Sequence, residues 1–242
     1  MPDKTSAAAP LHCTARRLEI FAEIGARIGP PSTVYGAQGV VHLFGLTGGI
    51  ACGKSRVATH IRARGIPVID ADELAREVVA PGSEGLSALV GAFGPGILLP
   101  EGALDRKAMG KMAFADETTR QRLNAIVHPR IAARAVERAT ELGAAGVPLA
   151  CYEAALLVET GSAERFRPLV VVACPEAVQL ARIRSRDGLT SADALSRVRA
   201  QAPLLDKVAL ADFVIDTSGP VERTEGRTDE VLAAIRVRLG LA

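Results

Sequence analysis

The apolar residues of this 242-residue chain gather into short continuous runs, and longer amphipathic stretches separate the runs. Five runs have the length of strands and cover residues 40–46, 66–70, 147–152, 169–174 and 212–216. Continuous apolar runs are typical of strands that are buried on both faces of a parallel sheet. The pattern predicts an α/β fold with a mostly parallel five-stranded sheet flanked by helices, and residues 40–46 as its first strand.

Helical periodicity fills the intervals between these runs. Residues 54–64 are predicted to form a helix after the first strand, residues 71–146 a mostly helical insertion, and residues 175–207 an arginine-rich helical stretch. Within the insertion, the long segment 118–142 is expected to break at Pro129, because proline lacks the N–H group that a helix interior requires.

Residues 1–39 differ in composition from the rest of the chain. A start rich in small residues leads to a short stretch with helical spacing between Leu18 and Ile28, and then to a Gly-Pro-Pro sequence. We interpret this segment as a loosely ordered N-terminal extension that precedes one domain at 40–242. Two alternatives are a start codon assigned too early and a regulatory segment.

Composition narrows the classes of function. The chain is 48% hydrophobic and 23% charged, as soluble globular proteins are, with a formal charge of +2. Only 3% of its residues are aromatic and none is tryptophan, which disfavours stacking surfaces for single-stranded nucleic acid. No apolar run approaches the roughly 20 residues that span a bilayer, and no hydrophobic signal core lies near the start. Neither a nucleic acid nor a membrane is an expected partner.

The number and spacing of the cysteines indicate the redox environment of the cellular compartment. The four cysteines lie far apart in sequence and show neither the paired spacing of a zinc site nor a compact disulfide pattern. This usage favours a reducing cytoplasm. The four are Cys13, Cys52, Cys151 and Cys174.

The strongest motif follows the first predicted strand. Residues 48–55 satisfy the G-x-x-x-x-G-K-[ST] pattern of a phosphate-binding loop, or P-loop, between a strand and a helix. Such glycines let successive N–H groups point at phosphate oxygens, and the helix start adds its positive dipole end. Lys54 is predicted to reach the β- and γ-phosphates, and Ser55 to ligate Mg²⁺. The residues predicted to bind ATP are Gly48, Gly49, Ile50, Ala51, Cys52, Gly53, Lys54 and Ser55.

The P-loop alone leaves the acceptor open, because ATPases, GTPases and small-molecule kinases share it. The chain lacks an N-K-x-D guanine signature and carries an arginine-rich segment that can close over ATP. These two features favour an ATP-dependent kinase.

An acidic pair lies where the second predicted strand ends, at the edge of the sheet on which α/β ligand sites form. A carboxylate there can orient an alcohol and accept its proton as the γ-phosphoryl group is transferred. Asp72 is the candidate catalytic base. Asp70 either assists Mg²⁺ through water or caps the next helix.

The chain resembles dephospho-CoA kinases in the order of its motifs. These are GLTGGI at 45–50, GKS at 53–55, IDAD at 69–72, LDRK at 104–107, LNAIVHP at 123–129, LLVE at 156–159, QLAR at 179–182, RD at 186–187 and ADFVID at 211–216. The resemblance covers about residues 40–220 and implies ATP-dependent phosphorylation of the ribose 3′-hydroxyl of dephospho-CoA, the last step of CoA biosynthesis. It also implies a P-loop kinase core, a helical CoA-binding region at about 73–146 and a helical lid at about 176–207.

The resemblance also implies roles for single side chains. Asp72 falls on the family's proposed base. Arg76 and His128 fall on motifs that face the CoA-side substrate, whereas Arg182 and Arg186 fall on the lid that closes over ATP. Arginine suits these positions because it stays charged and chelates phosphate oxygens, so that Arg182 joins Lys54 and Asp72 as a catalytic candidate.

Each of these assignments has a structural alternative. His128 can satisfy backbone groups at a helix break, and the two lid arginines, four residues apart, can form a solvated helix face. Glu159 is predicted to hold substrate or a lid residue, and its alternative is a surface carboxylate after a buried strand.

The chain departs from the family pattern inside and next to the P-loop. Ala51 and Cys52 replace the usual Gly-Ser pair, and Arg56 stands where a hydroxyl near the α-phosphate is expected. Either the Arg56 guanidinium group takes the place of that hydroxyl, or the affinity for nucleotide falls. Thr217, assigned to the ATP site, stands where the last strand is often followed by Asn. We hypothesise that the Cys52 thiol has a lowered pKa and is redox-sensitive; alternatively it is simply a small loop residue.

Two further functions stay open at this point, a P-loop kinase acting on another small molecule and a nucleotide-binding regulatory protein without turnover. Retention of Lys54, Ser55 and Asp72 argues against loss of turnover. The predicted partners are ATP, with Mg²⁺ as cofactor, and dephospho-CoA. The predicted state is a monomer or weak homo-oligomer in the cytoplasm.

Overall fold

The computed structural model describes residues 33–36 and 39–241, and the expected extension up to residue 32 lies outside them. Six strands form one sheet. They are β1 (Thr33–Gly36), β2 (Gly39–Gly48), β3 (Val68–Asp70), β4 (Leu149–Glu153), β5 (Leu169–Ala173) and β6 (Phe213–Asp216).

Five of the strands are parallel and lie in the order β3-β4-β2-β5-β6. This arrangement confirms the α/β fold with its mostly parallel sheet. Because the strands on the two sides of β2 are reached by crossovers in opposite directions, the loops after β2, β3 and β4 diverge at the carboxyl edge and leave a crevice there.

The remaining strand, β1, corrects one expectation. It pairs antiparallel with the first half of β2, with Thr33 opposite His42 and Gly36 opposite Gly39. Residues 40–46 are therefore the core of the second strand, not the first. The strand β1 spans only four residues, with Val34 buried, so that its apolar run is too brief to stand out in the sequence.

Nine α-helices surround the sheet in the described part of the chain. They are α1 (Lys54–Ala63), α2 (Ala71–Glu77), α3 (Glu84–Phe93), α4 (Arg106–Ala115), α5 (Glu117–Ala144), α6 (Glu176–Asp187), α7 (Ser191–Arg199), α8 (Leu204–Ala209) and α9 (Val221–Arg238). Helices α2 to α5 occupy the predicted insertion, and α6 to α8 occupy the arginine-rich stretch.

The expected break at Pro129 is wrong, because α5 continues through it. A proline inside a helix removes one backbone hydrogen bond and costs about 3 kcal/mol. The Arg130 guanidinium group donates to the Ile126 carbonyl at 2.7 Å and so supplies a donor to the turn that precedes the proline. Packing of α5 against β1, β2 and α2 to α4 holds the helix in one piece.

Apolar side chains on the two faces of β2 enter two separate cores. Phe44 and Leu46 pack with α1 and α9, whereas Val41 and Leu43 on the opposite face pack with α5. A third, smaller cluster lies among α3, α4 and α5. Throughout residues 33–36 and 39–241, each helix is either too short or too polar to cross a lipid bilayer.

The close approach of β2 and β5 yields a stability prediction. A Cβ atom on Gly48 would lie 2.5 Å from the Val172 carbonyl oxygen, so that Gly48→Ala must push the two strands apart. We expect it to lower the free energy of unfolding by about 1–3 kcal/mol. Gly110→Ala is the control, because its Cβ atom meets nothing within 4 Å inside α4 and should raise stability by about 0.5–1 kcal/mol. Urea unfolding measures both, and equal stability of the two variants would contradict the packing.

Candidate active site

The P-loop connects β2 to α1 and lines an open cavity of about 650 Å³ at the carboxyl edge of the sheet. Gly53 lies in the left-handed region with φ of 83°, which glycine adopts without strain. Ala51 also has a positive φ of 59°, which costs a residue with a Cβ atom about 1 kcal/mol. Every residue predicted to bind ATP lines this cavity, Arg56, Arg186 and Thr217 included, except Cys52, which is buried beneath the loop.

Lys54 is held by a carboxylate that the sequence did not single out. Its Nζ lies 2.5 Å from Oε1 of Glu153, the last residue of β4, and the Glu153 side chain is only 4% exposed. Arg62 stands 4.0 Å from the other carboxylate oxygen. The ion pair aims the lysine of the loop across the crevice between β2 and β4.

Arg182 braces the loop from α6. Its guanidinium group donates to the Ala51 carbonyl at 3.2 Å and to the Thr217 carbonyl at 2.6 Å. The Thr217 hydroxyl donates to the Cys52 carbonyl at 2.6 Å. An arginine at the cavity wall is thus positioned before any ligand arrives.

Two glutamines hold the tip of the loop from both sides. The Ile50 N–H donates to Oε1 of Gln201 at 2.7 Å, and Nε2 of Gln179 donates to the Ile50 carbonyl at 2.8 Å. Gln179 belongs to α6 and Gln201 follows α7, so both glutamines lie in the predicted lid region. The conformation of the P-loop tip therefore depends on contacts with that region.

The two candidate acids have different roles. The Asp70 carboxylate caps α2 by accepting from the Asp72 and Glu73 N–H groups, at 2.8 and 3.4 Å. Of the alternatives weighed for Asp70, the structure shows the cap. Asp72 is exposed in the first turn of α2, and it lines the P-loop cavity.

A second cavity of about 400 Å³ opens on the other side of Asp72. Its walls are mostly apolar and come from α2, α5, β4 and the loop after β4. His128 of α5 lines it, and so does Thr33 of β1. Asp72, Ala155 and Gln201 line both cavities, so that a carboxylate stands at the junction between them.

The surroundings of three further predicted site residues bear on their roles. Arg76 is exposed on α2 and lines neither cavity. Arg186 pairs with the neighbouring Asp187 at 2.8 Å. Glu159 lines neither cavity; its Oε1 lies 2.6 Å from Nζ of the fully buried Lys207 and accepts from the Ala202 N–H at 3.1 Å.

Comparison with known proteins identifies the family of this site. The family model described as dephospho-CoA kinase matches residues 42–222. A dephospho-CoA kinase of Geobacter sulfurreducens is 47% identical over 193 residues, which cover 80% of this chain and 98% of the relative. One of Cutibacterium acnes is 43% identical over 222 residues, covering 91% and 96%. This chain belongs to the dephospho-CoA kinase family.

Solved structures agree with that membership. A protein from Thermus thermophilus is 33% identical with a TM-score of 0.69, covering 79% of this chain and 96% of its own. The dephospho-CoA kinase from Campylobacter jejuni is 26% identical with a TM-score of 0.56, covering 80% and 96%. The segment matched by the family model contains every predicted site residue but begins after β1. Thr33, which lines the second cavity, therefore lies outside it.

Sequence reasoning about this kinase missed Glu153, Lys207 and the two glutamines. Glu153 ends an apolar strand at the carboxyl edge of the sheet, which is a signal that could have identified it. Lys207 carries no such signal, because lysine is almost always exposed and only the tertiary fold buries it.

The hypothesis of a lowered Cys52 pKa is wrong. The thiol is buried, and its pKa is raised because it shares a hydrogen bond with the neighbouring Cys174 sulfur and because burial penalises the thiolate. The lowered pKa belongs to Cys174, which falls to about 7 through that hydrogen bond and the nearby Arg182 charge.

The ion pair between the fully buried Lys207 and Glu159, whose side chain is 20% exposed, yields a second prediction. Lys207→Met leaves the Glu159 carboxylate without its cation, and we expect a loss of about 3–5 kcal/mol in the free energy of unfolding. Adding Glu159→Gln should recover part of this loss. The control is Arg227→Met, which breaks an exposed pair with Glu230 and should cost less than about 1 kcal/mol. Similar losses for the two single variants, measured by urea unfolding, would contradict a buried pair.

Proposed function

We propose that this chain catalyses the ATP-dependent phosphorylation of the ribose 3′-hydroxyl of dephospho-CoA, giving CoA and ADP. One observation carries the proposal beyond family membership: Asp72 stands at the junction of the P-loop cavity and the apolar cavity. A kinase needs such a junction, because the acceptor hydroxyl must meet the γ-phosphate next to a group that takes its proton.

Each catalytic candidate has a distinct task. Asp72 orients the 3′-hydroxyl and accepts its proton as the bond to phosphorus forms. Lys54 and Arg182 face the P-loop cavity as fixed positive charges and stabilise the charge on the transferring phosphoryl group. Because protein groups already hold Lys54 and Arg182 in place, little reorganisation is needed when the phosphates bind.

The residues at the P-loop fit a magnesium ion. Mg²⁺ prefers oxygen ligands and usually keeps several waters and phosphate oxygens with only one or two protein ligands. The Ser55 hydroxyl at the start of α1 lines the P-loop cavity and is the protein ligand we assign. When bound, the ion would neutralise charge on the β- and γ-phosphates.

The apolar cavity suits the acceptor, because dephospho-CoA carries a long uncharged pantetheine arm beside its charged diphosphate. We assign His128 and Arg76 to the acceptor side, and Arg186, Arg56 and Thr217 to the nucleotide side. Glu159 acts on the acceptor through the loop that it ties to Lys207. We place the reaction in the cytoplasm, in a monomer or weak homo-oligomer that takes no nucleic acid or membrane as partner.

A substrate panel tests the proposed function. The purified chain is incubated with Mg-ATP and dephospho-CoA, and in parallel with nucleosides and nucleoside monophosphates, and the products are separated by mass. We expect CoA and ADP in equal amounts. Turnover of another acceptor without CoA formation, or nucleotide binding without any turnover, would overturn the proposal.

The substitution Asp72→Asn tests the assignment of Asp72 as the catalytic base. Since asparagine keeps the shape but cannot accept the proton, kcat should fall about 10²–10⁴-fold while the Kd for ATP stays within about twofold. Glu73→Gln is the matched control, because it removes the neighbouring carboxylate on α2, which lines neither cavity. A kcat for Asp72→Asn equal to that of the control would remove Asp72 as the base.

A further inference from the structure

Two cysteines meet beneath the P-loop. Cys52 precedes Gly53 in the loop, Cys174 follows β5, and their Sγ atoms are 3.6 Å apart. Cys52 is fully buried and Cys174 is 5% exposed. Neither thiol has a task in the phosphoryl transfer described above.

The surroundings distinguish the two thiols. An Nη atom of Arg182 lies 3.9 Å from the Cys174 sulfur, so that a positive charge faces Cys174. Thr217 and Ala51, which contact the same guanidinium group, line the P-loop cavity together with Arg182. A small uncharged oxidant that enters this cavity therefore comes close to Cys174. The thiolate is the reactive form of cysteine, and a neighbouring arginine stabilises it.

We propose that this pair is a redox modification site, at which a hydroperoxide oxidises Cys52 and Cys174 to an intrachain disulfide that weakens nucleotide binding. The Cys174 thiolate attacks one peroxide oxygen and the O–O bond breaks. The departing hydroxide, or the alkoxide of an organic hydroperoxide, takes up the proton that the Cys174 thiol released and becomes water or the alcohol. The sulfur of Cys52 then displaces hydroxide from the resulting sulfenic acid, and the proton of Cys52 converts that hydroxide to water. The two thiols lose two electrons and the peroxide gains them.

The disulfide would form directly beneath the P-loop. A disulfide bond is about 2.05 Å long, so that the two sulfurs approach each other by about 1.5 Å. Cys52 is braced by the hydrogen bond from Thr217 to its carbonyl, and the left-handed Gly53 follows it directly. A displacement of Cys52 therefore reaches the adjacent N–H groups that receive the phosphates. The loss of affinity rests on the proposed function, whereas formation of the disulfide does not.

The experiment oxidises the full chain and measures disulfide formation and nucleotide affinity separately. Reduced protein is treated with hydrogen peroxide, the free thiols are alkylated, and a protease digest identifies the linked peptides by mass. We expect the peptides of Cys52 and Cys174 to be joined, and the Kd for Mg-ADP by calorimetry to rise at least tenfold and to recover with dithiothreitol. Absence of the joined peptides, or joined peptides with an unchanged Kd, overturns the proposal.

Two serine variants locate the effect. Cys174→Ser should keep its own untreated Kd after peroxide, whereas Cys151→Ser, which removes another buried cysteine, should respond as the parent chain does. Cys174→Ala serves in the same way if the serine variant fails to fold by circular dichroism. Equal responses of the Cys174 and Cys151 variants overturn the proposal. If the reduced protein binds no Mg-ADP at all, the proposed function fails, while the joined peptides still decide whether the modification site exists.

Discussion

The buried carboxylate of Glu153 requires a cation, and Lys54 supplies it at 2.5 Å. An isolated charge of this kind in the interior costs several kcal/mol, so that the pair holds the P-loop and the carboxyl end of β4 together. Lys54, to which we assign the phosphates, is therefore positioned by β4, the strand beside the one that leads into the P-loop. Such preorganisation is what makes a fixed charge effective in catalysis, because it need not reorient as the reaction proceeds.

The rest of the site follows from where this pair lies in the sheet. Because β2 is central and β4 is its neighbour, the loop after β4 forms a wall that the P-loop cavity and the apolar cavity share. Asp70 ends β3 and caps α2, and this cap presents Asp72 at the junction of the two cavities. The predicted lid region reaches the same place through Gln201, which accepts from the Ile50 N–H. Three strand ends and one lid segment thus converge where the proposed reaction takes place.

Much of this arrangement could be predicted because it rests on local patterns. Continuous apolar runs identify the five parallel strands within one or two residues, and the glycine pattern of the P-loop identifies the nucleotide cavity. The contacts that could not be predicted are those that only the tertiary fold creates. Lys207 is ordinary in sequence and becomes fully buried, the helix at Pro129 continues because its neighbours hold it, and Cys174 approaches Cys52 across 122 positions of the chain.

The family pattern led to the right acceptor class, yet it did not indicate which side chains hold the P-loop in place. The contact of Glu153 with Lys54 and those of the two glutamines with Ile50 are visible only in three dimensions, and β1 adds Thr33 to the wall of the apolar cavity from outside the segment matched by the family model. The central claim is that Asp72 lies between the bound nucleotide and an acceptor held in the apolar cavity. A crystal structure with ADP and dephospho-CoA tests this claim most directly. The account predicts the ribose 3′-hydroxyl at about 2.6–3.2 Å from the Asp72 carboxylate, with the pantetheine arm in the apolar cavity. A ribose bound elsewhere, with the apolar cavity empty and Asp72 facing solvent, would contradict it.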